Sequence, residues 1–314
     1  ILMSRRKRHI RYIQPKTSPP QARLPFVPLD QFSVEDIHKR IVFKEQFLKY
    51  HWDYYNDLSY QRSKIADKIK KSLLGAAQKA FTFEKWQRAV KYKYANEPFS
   101  VAGSLTDPGG RFNIGDINPS QFPPFPALYL ASDKDTALQE LLSQKIDPKQ
   151  GIPKISPLDF ALTNHNSIAI VSLSGRIDSI INLKEPKDLQ PFVDLIKDFS
   201  VSDSLKKTSK IIGGREPELI RTVSRLMDSL LDPNWRLWPM QFDVPVASQI
   251  FGQLVSEAGI EGILYTSKFT CNDCLAIFPQ NFEESSFIQL DDEAPKETKI
   301  CRLDSKTWND IQRG

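Results

Sequence analysis

The chain has 314 residues and a formal net charge of +5, with 40% hydrophobic and 26% charged residues. This length and composition predict a folded protein of one large or two ordinary domains and argue against intrinsic disorder. No segment has the run of about 18 or more apolar residues that a membrane-spanning helix needs. Because three cysteines are too few for a disulfide framework, we expect a cytoplasmic protein without a membrane span.

The positive charge is concentrated at the N-terminal end. Residues 1–24 hold seven cations and no acid, and the rest of the chain has 36 basic and 38 acidic residues. A nucleic-acid-binding domain carries its basic excess on the folded body, so we do not expect a nucleic acid as the main partner. Residues 1–30 also contain five prolines, a density that predicts an extended basic arm.

Residues 31–82 are predicted to form a helical extension. Ser33 and the acids after it resemble the start of a first helix. A second helix is expected from about residue 60 to residue 81, because apolar residues from Ile65 to Phe81 recur at three- and four-residue spacing.

From residue 83 onward, short β-rich runs alternate with helical patterns of unequal length. We expect strands at 86–94, 127–130, 167–173, 261–266 and 274–278, and helices at 134–145, 189–196, 216–231 and 247–258. Since no βαβ unit repeats, the pattern favours an α+β domain with a mixed sheet over a doubly wound parallel sheet. This domain is predicted to span residues 83–282, with residues 283–314 as a C-terminal tail.

A glycine pair opens the segment richest in functional side chains. Gly109 and Gly110 let the backbone approach a ligand closely, Arg111 suits a phosphate or carboxylate, and Asn113 can both donate and accept hydrogen bonds. The segment lacks the lysine of a P-loop and is not a dinucleotide fingerprint. By itself it is equally compatible with a tight turn beside a surface arginine.

An aromatic side chain and an acid follow. Tyr129 lies on the strand expected at 127–131, and Glu140 lies on the second turn of the next helix, so the two side chains could meet at that corner. The tyrosine offers a ring for stacking, and the glutamate offers an acceptor or a base. Alone, this pair is weak evidence for a site.

Together these residues resemble the RES domain, a family of bacterial toxins named for an arginine, a glutamate and a serine. The resemblance covers about residues 83–282. The matching segments are W-Q-R-A-V at 86–90, G-G-R-F-N at 109–113, P-A-L-Y-L-A at 126–131, A-L-Q-E at 137–140, G-I-L-Y-T-S-K at 262–268 and C-L-A-I-F-P at 274–279.

The resemblance implies a fold similar to ADP-ribosyltransferase toxins and an activity on NAD⁺. The implied reaction cleaves the bond to nicotinamide, with phosphate or water as acceptor. NAD⁺ is then a substrate, inorganic phosphate a co-substrate, and no prosthetic group or metal is expected. Family members are commonly neutralised by an Xre-type antitoxin, which is the implied protein partner. The N-terminal extension departs from the short family members and leaves homo-oligomerisation open.

The resemblance also implies roles for individual residues. Glu140 would stabilise the oxocarbenium-like ribose that forms as the glycosidic bond breaks. Arg88 and Arg111 would hold the pyrophosphate, with Gly110 and Asn113 beside it. Tyr129 would stack on nicotinamide or orient the ribose.

Two serines compete for the remaining role. Ser267, just after an expected strand, would donate to the ligand or hold Glu140. Ser248 is the second candidate, because some family members place their serine before a helix that contains a glutamine.

Two other features can be explained by structure alone, without a functional site. Cys271 and Cys274 have C-x-x-C spacing, but structural zinc needs four ligands, so a turn between two strands is the simpler interpretation. His51, Trp52 and the two tyrosines after them could stack on bases, although such residues more often dock a helix onto a neighbouring domain.

Two other functions stay open on the sequence. An ADP-ribosyltransferase acting on a protein would share the same pocket. A nucleic-acid-binding module would use the basic arm, and its affinity would fall steeply with salt.

Overall fold

The structure is a computed structural model that describes residues 34–91, 94–142, 168–212, 218–294 and 296–313. The chain divides into two compact units, residues 1–46 and 47–314. The first unit contributes the start of helix α1 (Val34–Ser63), and all further elements lie in the second. The basic arm predicted over residues 1–30 lies outside the described residues.

The predicted second helix differs from the observed one. Helix α1 continues through Tyr60, α2 spans Ala66–Ala76, and strand β1 then runs over Gln78–Lys91. Phe81, expected at the end of a helix, pairs with Ile177 in the sheet. The spacing of Phe81 from the apolar residues before it is compatible with both a helix and a strand. Pairing with β5 gives the backbone of β1 its hydrogen-bond partners, and therefore favours the strand.

The remaining strands and helices alternate irregularly. The first group is β2 (Gly109–Gly110), β3 (Asn113–Ile114), β4 (Leu128–Ala131), α3 (Lys134–Leu142) and β5 (Ile168–Asn182). A helical group follows, with α4 (Gln190–Ile196), α5 (Asp203–Ile211), α6 (Val223–Leu230), α7 (Leu237–Phe242) and α8 (Ala247–Glu257). The chain then adds β6 (Gly262–Thr266), β7 (Asp273–Ile277), β8 (Phe287–Leu290), β9 (Arg302–Asp304) and α9 (Ser305–Arg313). Single 3₁₀ turns lie at Pro186–Leu189 and Pro279–Asn281.

Seven strands form one mixed sheet in the order β1-β4-β7-β6-β5-β8-β9. β5 and β6 are parallel, and the other described pairs are antiparallel. β1 also pairs with β5 along its length, so five strands close on themselves, and β2 and β3 form a separate hairpin. A bulge in β1 between Phe83 and Trp86 shifts the register, which lets the strand bend around the closure.

Each central strand supplies side chains to two cores. Ile263 and Tyr265 of β6 face the cluster built with α2, α4, α6 and α8, whereas Leu264 faces the cluster that includes Leu303 and Trp308. Successive side chains of a strand point to opposite faces of the sheet, so both faces of β6 are covered by a core.

The predicted α+β class is confirmed, with a mixed sheet, flanking helices and helices before the sheet. β1 crosses the predicted boundary at residue 83, and the segment predicted as a tail contributes β8, β9 and α9. Sequence patterns also missed α5 and α7. None of the helices in the described ranges is both long and apolar enough to cross a membrane.

Candidate active site

A cavity of about 290 Å³ is lined by residues of β1, β4, α3, the glycine hairpin and the segment just before α7. Five of the eight predicted site residues line it: Arg88, Gly110, Arg111, Tyr129 and Glu140. Asn113, Ser248 and Ser267 are not among its lining residues.

The glycine hairpin forms one edge of the cavity. Gly109 has φ of +90°, a backbone conformation that other residues rarely adopt. Gly110 lies against the Tyr129 ring so closely that a Cβ atom would overlap its hydroxyl and ring carbons. A close approach of this backbone to a ligand stays a prediction; in this structure the backbone of Gly110 lies close to the Tyr129 ring.

The Asn113 side chain holds the glycine hairpin in place through hydrogen bonds. Its side chain is fully buried, and its Oδ1 accepts hydrogen bonds from the Gly110 amide and the Tyr129 hydroxyl, both at 2.9 Å. Its Nδ2 donates to the carbonyls of Ser104 (2.7 Å) and Phe125 (3.0 Å). A direct ligand contact by Asn113 stays a prediction; in this structure its amide positions the hairpin.

Tyr129 presents its ring to the cavity and turns its hydroxyl inward. The hydroxyl donates to Asn113 and accepts from the Phe112 amide at 2.9 Å. Burial raises the pKa of this phenol, against the opposing hydrogen bond from Phe112. The hydroxyl therefore stays protonated at neutral pH and fixes the ring as a rigid wall.

Arg111 is held by the C-terminal end of α6. Its side chain is buried, and its Nη1 donates to the carbonyls of Asp232 (2.9 Å) and Leu230 (3.3 Å). Such carbonyls lack partners within a helix and carry its partial negative charge. Nε has no partner among the described residues, so the guanidinium is fixed at one end and keeps donor capacity.

Arg88 enters the cavity from β1. Its Nη2 donates to the Ser100 carbonyl at 2.6 Å, and its Nε is buried without a partner among the described residues. Burial lowers the pKa of this guanidinium to about 10, so it remains a cation at neutral pH. The structure thus places a desolvated positive charge at the cavity wall.

Glu140 and Ser267 meet at the corner between α3 and the β6–β7 loop. The Ser267 hydroxyl donates to Oε1 of Glu140 at 2.7 Å, and its oxygen accepts from the Phe269 amide at 3.1 Å. Ser267 is buried behind the carboxylate, so its contact is with Glu140 and not with the cavity. Of the two predicted roles for Ser267, this geometry corresponds to holding Glu140.

A polar clamp keeps that loop against α3. Thr136 is fully buried, and its hydroxyl bonds to Asp133 (2.6 Å) and to the hydroxyl of Thr270 (2.8 Å). Asn272 donates to the same Asp133 carboxylate at 3.0 Å. The clamp ties the loop that carries Ser267 to the helix that carries Glu140.

Ser248 lies in the first turn of α8, fully buried, and its Oγ has no partner among the described residues. Ser248 does not line the cavity, and it is not the serine that bonds to the Glu140 carboxylate. The adjacent Gln249 is the better connected residue, since its Nε2 donates to the carbonyls of Pro108, Gly110 and Asn113. That amide fixes the hairpin to α8.

Sequence reasoning missed Arg236, Tyr265 and Cys274, which also line the cavity. Trp235 is 2% exposed and lines the cavity.

The segment with the C-x-x-C spacing forms a turn between two strands, as predicted. Cys271 is exposed in the loop between β6 and β7, Cys274 is buried on β7, and both are free thiols. Burial raises the pKa of the Cys274 thiol, so it stays protonated. The described residues contain no group of three or more His, Cys, Asp or Glu side chains that could hold a metal.

The aromatic residues of α1 dock it within the second unit. Trp52 stacks on Phe122 at 5.2 Å between ring centroids, and Tyr55 meets the same ring edge-on at 4.8 Å. His51 stacks on Phe242 of α7 at 3.9 Å. The docking interpretation of these aromatics is confirmed.

Comparisons with known proteins bear on the family of this chain. Among curated proteins, no sequence matches the chain significantly. Among solved structures, a chain from the crystal structure of the M. tuberculosis MbcT–MbcA toxin–antitoxin complex aligns over 79% of this chain and 98% of its own length, with 11% identity and a TM-score of 0.38. The sequence model of the RES domain matches residues 85–295, about two thirds of the sequence. The chain therefore belongs to the RES domain family.

Proposed function

We propose that this protein is an NAD⁺-degrading enzyme, which breaks the bond between nicotinamide and ribose with phosphate or water as acceptor. The observation that carries the proposal is the pairing of one fixed carboxylate, Glu140, with the buried guanidiniums of Arg88 and Arg111 around one cavity.

The two kinds of charge match two parts of the substrate. Breaking an N-glycosidic bond leaves positive charge on the ribose, and a preorganised carboxylate stabilises that charge without reorganising at the moment of reaction. The pyrophosphate carries the negative charge, which guanidiniums bind through short charge-assisted hydrogen bonds. Because nicotinamide leaves as a neutral molecule, the step needs no covalent nucleophile.

The Ser267 bond supports Glu140 as the catalytic carboxylate. It fixes Oε1, and no described residue donates a hydrogen bond to Oε2. In the proposed reaction that second oxygen contacts the ribose. Tyr129, whose hydroxyl is engaged with Asn113 and Phe112, would supply only the flat face of its ring to nicotinamide or ribose.

Membership of the RES family supports a biological role that corresponds to NAD⁺ degradation. We propose a toxin or effector that depletes NAD⁺ in the cytoplasm, with an Xre-type antitoxin as its protein partner. Inorganic phosphate would be a co-substrate, and NAD⁺ a substrate bound for each turnover.

The test is product analysis after incubation of the full chain with NAD⁺, with and without phosphate. We expect free nicotinamide with ADP-ribose-1″-phosphate or ADP-ribose, and a loss of at least about 100-fold in rate for Glu140→Gln, since the carboxylate is the main stabiliser of ribose charge. Glu257→Gln, an exposed acid on α8, is the matched control and should retain the parental rate.

Two results would overturn the proposal. Intact NAD⁺ after prolonged incubation excludes degradation, and ADP-ribose recovered on an added protein identifies a transferase instead.

A further inference from the structure

Ser267 and Asn272 close the loop between β6 and β7. The Ser267 amide donates to the Asn272 carbonyl at 2.8 Å, and the Cys271 amide donates to the Ser267 carbonyl at 3.0 Å. Within this loop Cys271 has φ of +63°, a conformation that residues other than glycine rarely adopt. A backbone of this kind persists where neighbouring groups hold it in place. The position of Ser267 therefore depends on what holds Asn272.

Asp133 holds the Asn272 side chain from the N-terminal end of α3. Its Oδ2 accepts from Nδ2 of Asn272 at 3.0 Å and from the Thr136 hydroxyl at 2.6 Å. Because the single Thr136 hydroxyl proton is used in this bond, Thr270 is the donor in the 2.8 Å contact between the two threonine hydroxyls. One carboxylate oxygen therefore fixes both the Asn272 side chain and the direction of the threonine pair.

The two oxygens of Asp133 have different roles. Oδ1 accepts from the Thr136 amide at 2.9 Å, which is the usual bond of a helix N-cap. Oδ2 makes the contacts that reach the loop. Burial by itself would raise the pKa of Asp133, but hydrogen bonds from Thr136 and Asn272 outweigh burial and hold this pKa below its usual value. The carboxylate is therefore charged at neutral pH and accepts at both oxygens.

We propose that Asp133 is a positioning residue for Glu140 and acts through the loop that carries Ser267. The Asp133 carboxylate bonds to the Asn272 side chain, and the Asn272 carbonyl bonds to the Ser267 amide. The Ser267 hydroxyl then bonds to Oε1 of Glu140 at 2.7 Å. Since α3 begins directly after Asp133 and carries Glu140, this path leaves one helix and returns to it. The proposal rests on the proposed function for the reaction, and on these hydrogen bonds alone for the fixed loop.

The kinetic test uses Asp133→Asn, since asparagine is an equally good N-cap. The change turns one oxygen into an NH₂ group, which cannot accept a hydrogen bond. We expect kcat for nicotinamide release from NAD⁺ to fall about 5- to 50-fold with KM changed by less than about threefold, because the positioned carboxylate acts in the transition state. Asp135→Asn makes the same change at an exposed position in the first turn of α3. It is the matched control and should retain the parental rate.

Asn272→Ala removes the same contact from the loop side. Asn272 is exposed, and its replacement leaves the N-cap of α3 intact. We expect a loss of kcat within about threefold of the loss in Asp133→Asn, since both variants break one hydrogen bond.

A double variant separates positioning through Ser267 from a general loss of structure. If Asp133 acts through Ser267, adding Asp133→Asn to Ser267→Ala should lower kcat by less than about twofold more. A general loss of active protein would instead multiply the two effects. The proposal is overturned if the effects multiply, or if Asp133→Asn and Asn272→Ala both behave like Asp135→Asn.

Hydrogen exchange separates this proposal from the proposed function. The amides of Phe269 and Cys271 both donate to Ser267, so their exchange reports the loop without any substrate. In the full chain, Asp133→Asn and Asn272→Ala should each speed exchange of the peptide that covers these amides by at least about fivefold, measured by mass spectrometry. If NAD⁺ is not cleaved but exchange rises in both variants, the reaction is wrong and the positioning of the loop by Asp133 stands. Unchanged exchange in both variants sinks the proposal.

Discussion

The Ser267 hydroxyl donates a 2.7 Å hydrogen bond to Oε1 of Glu140 across 127 positions of sequence. The serine oxygen accepts from the Phe269 amide in turn, which directs its proton toward the carboxylate. Serine, glutamate and their loop therefore form one unit whose function is to orient a carboxylate at the cavity wall.

Replacing Ser267 by alanine should leave Glu140 charged but free to rotate. We expect nicotinamide release from NAD⁺ to fall about 10- to 100-fold in kcat, the usual cost of losing orientation of a catalytic group. Ser248→Ala is the comparison that decides between the two candidate serines, since Ser248 is equally buried but bonded to no described residue. A larger loss in Ser248→Ala than in Ser267→Ala would reverse the assignment.

Gly110→Ala should disturb the cavity through Tyr129. The new Cβ would overlap the tyrosine ring, and relief of that overlap moves either the ring or the hairpin. We expect the free energy of unfolding in urea to fall by about 1–3 kcal/mol, a typical cost of overpacking, together with a loss of activity. Gly75→Ala, at the next-to-last residue of α2 and with nothing within 4 Å, is the control and should change the free energy of unfolding by less than about 0.5 kcal/mol. Full activity in Gly110→Ala would show that the ring position is unimportant.

The local parts of the site were predictable from sequence, and the long-range parts were not. The G-G-R-F-N segment pointed to Gly110 and Arg111, and strand-then-helix spacing put Tyr129 and Glu140 at one corner, because neighbouring elements constrain each other directly. Nothing local reveals that the Asn113 side chain bonds to Gly110 of its own hairpin and also to Ser104, Phe125 and Tyr129 outside it.

Arg236 shows the same limit more sharply. It lines the same cavity as Arg111, although the two residues lie in distant segments with no common motif. The helical ending predicted at Phe81 failed for a related reason, since pairing with Ile177 of β5 outweighs the local spacing.

Glu261 is a buried carboxylate away from the cavity, and its replacement should affect stability alone. Its oxygens accept from the amides of Asp178, Ser179 and Glu283 and from the Ser286 hydroxyl. Glu261→Gln would turn an NH₂ group toward some of these donors. We expect a loss of about 2–4 kcal/mol in the free energy of unfolding, measured by urea denaturation.

The control for Glu261 is Glu283→Gln, whose side chain is exposed and whose effect should stay within about 0.5 kcal/mol. Equal stability of the two variants would show that the Glu261 carboxylate does not hold its loop.

The buried His51 ring leads to a prediction of how acid affects the docking of α1. The ring is 7% exposed, stacks on Phe242, and has no hydrogen-bond partner on either nitrogen among the described residues. Burial lowers the pKa of His51 from 6.5 to about 4. The unfolded chain therefore binds a proton between these pH values while the folded protein does not, so stability falls as pH drops through 6.5 and the loss levels off below about 4.

The expected loss from this group between pH 8 and pH 5 is about 2 kcal/mol. The neighbouring rings of Phe47, Tyr50 and Trp238 offer little to stabilise an imidazolium against burial. His51→Phe keeps the stacking and removes the titration, so its free energy of unfolding at pH 5 should exceed that of the parent by about 2 kcal/mol more than at pH 8. Urea denaturation of both proteins at the two pH values measures this difference. If the two proteins lose the same stability on acidification, His51 is either protonated in the folded state or not buried, and the aromatic docking of α1 is insensitive to acid.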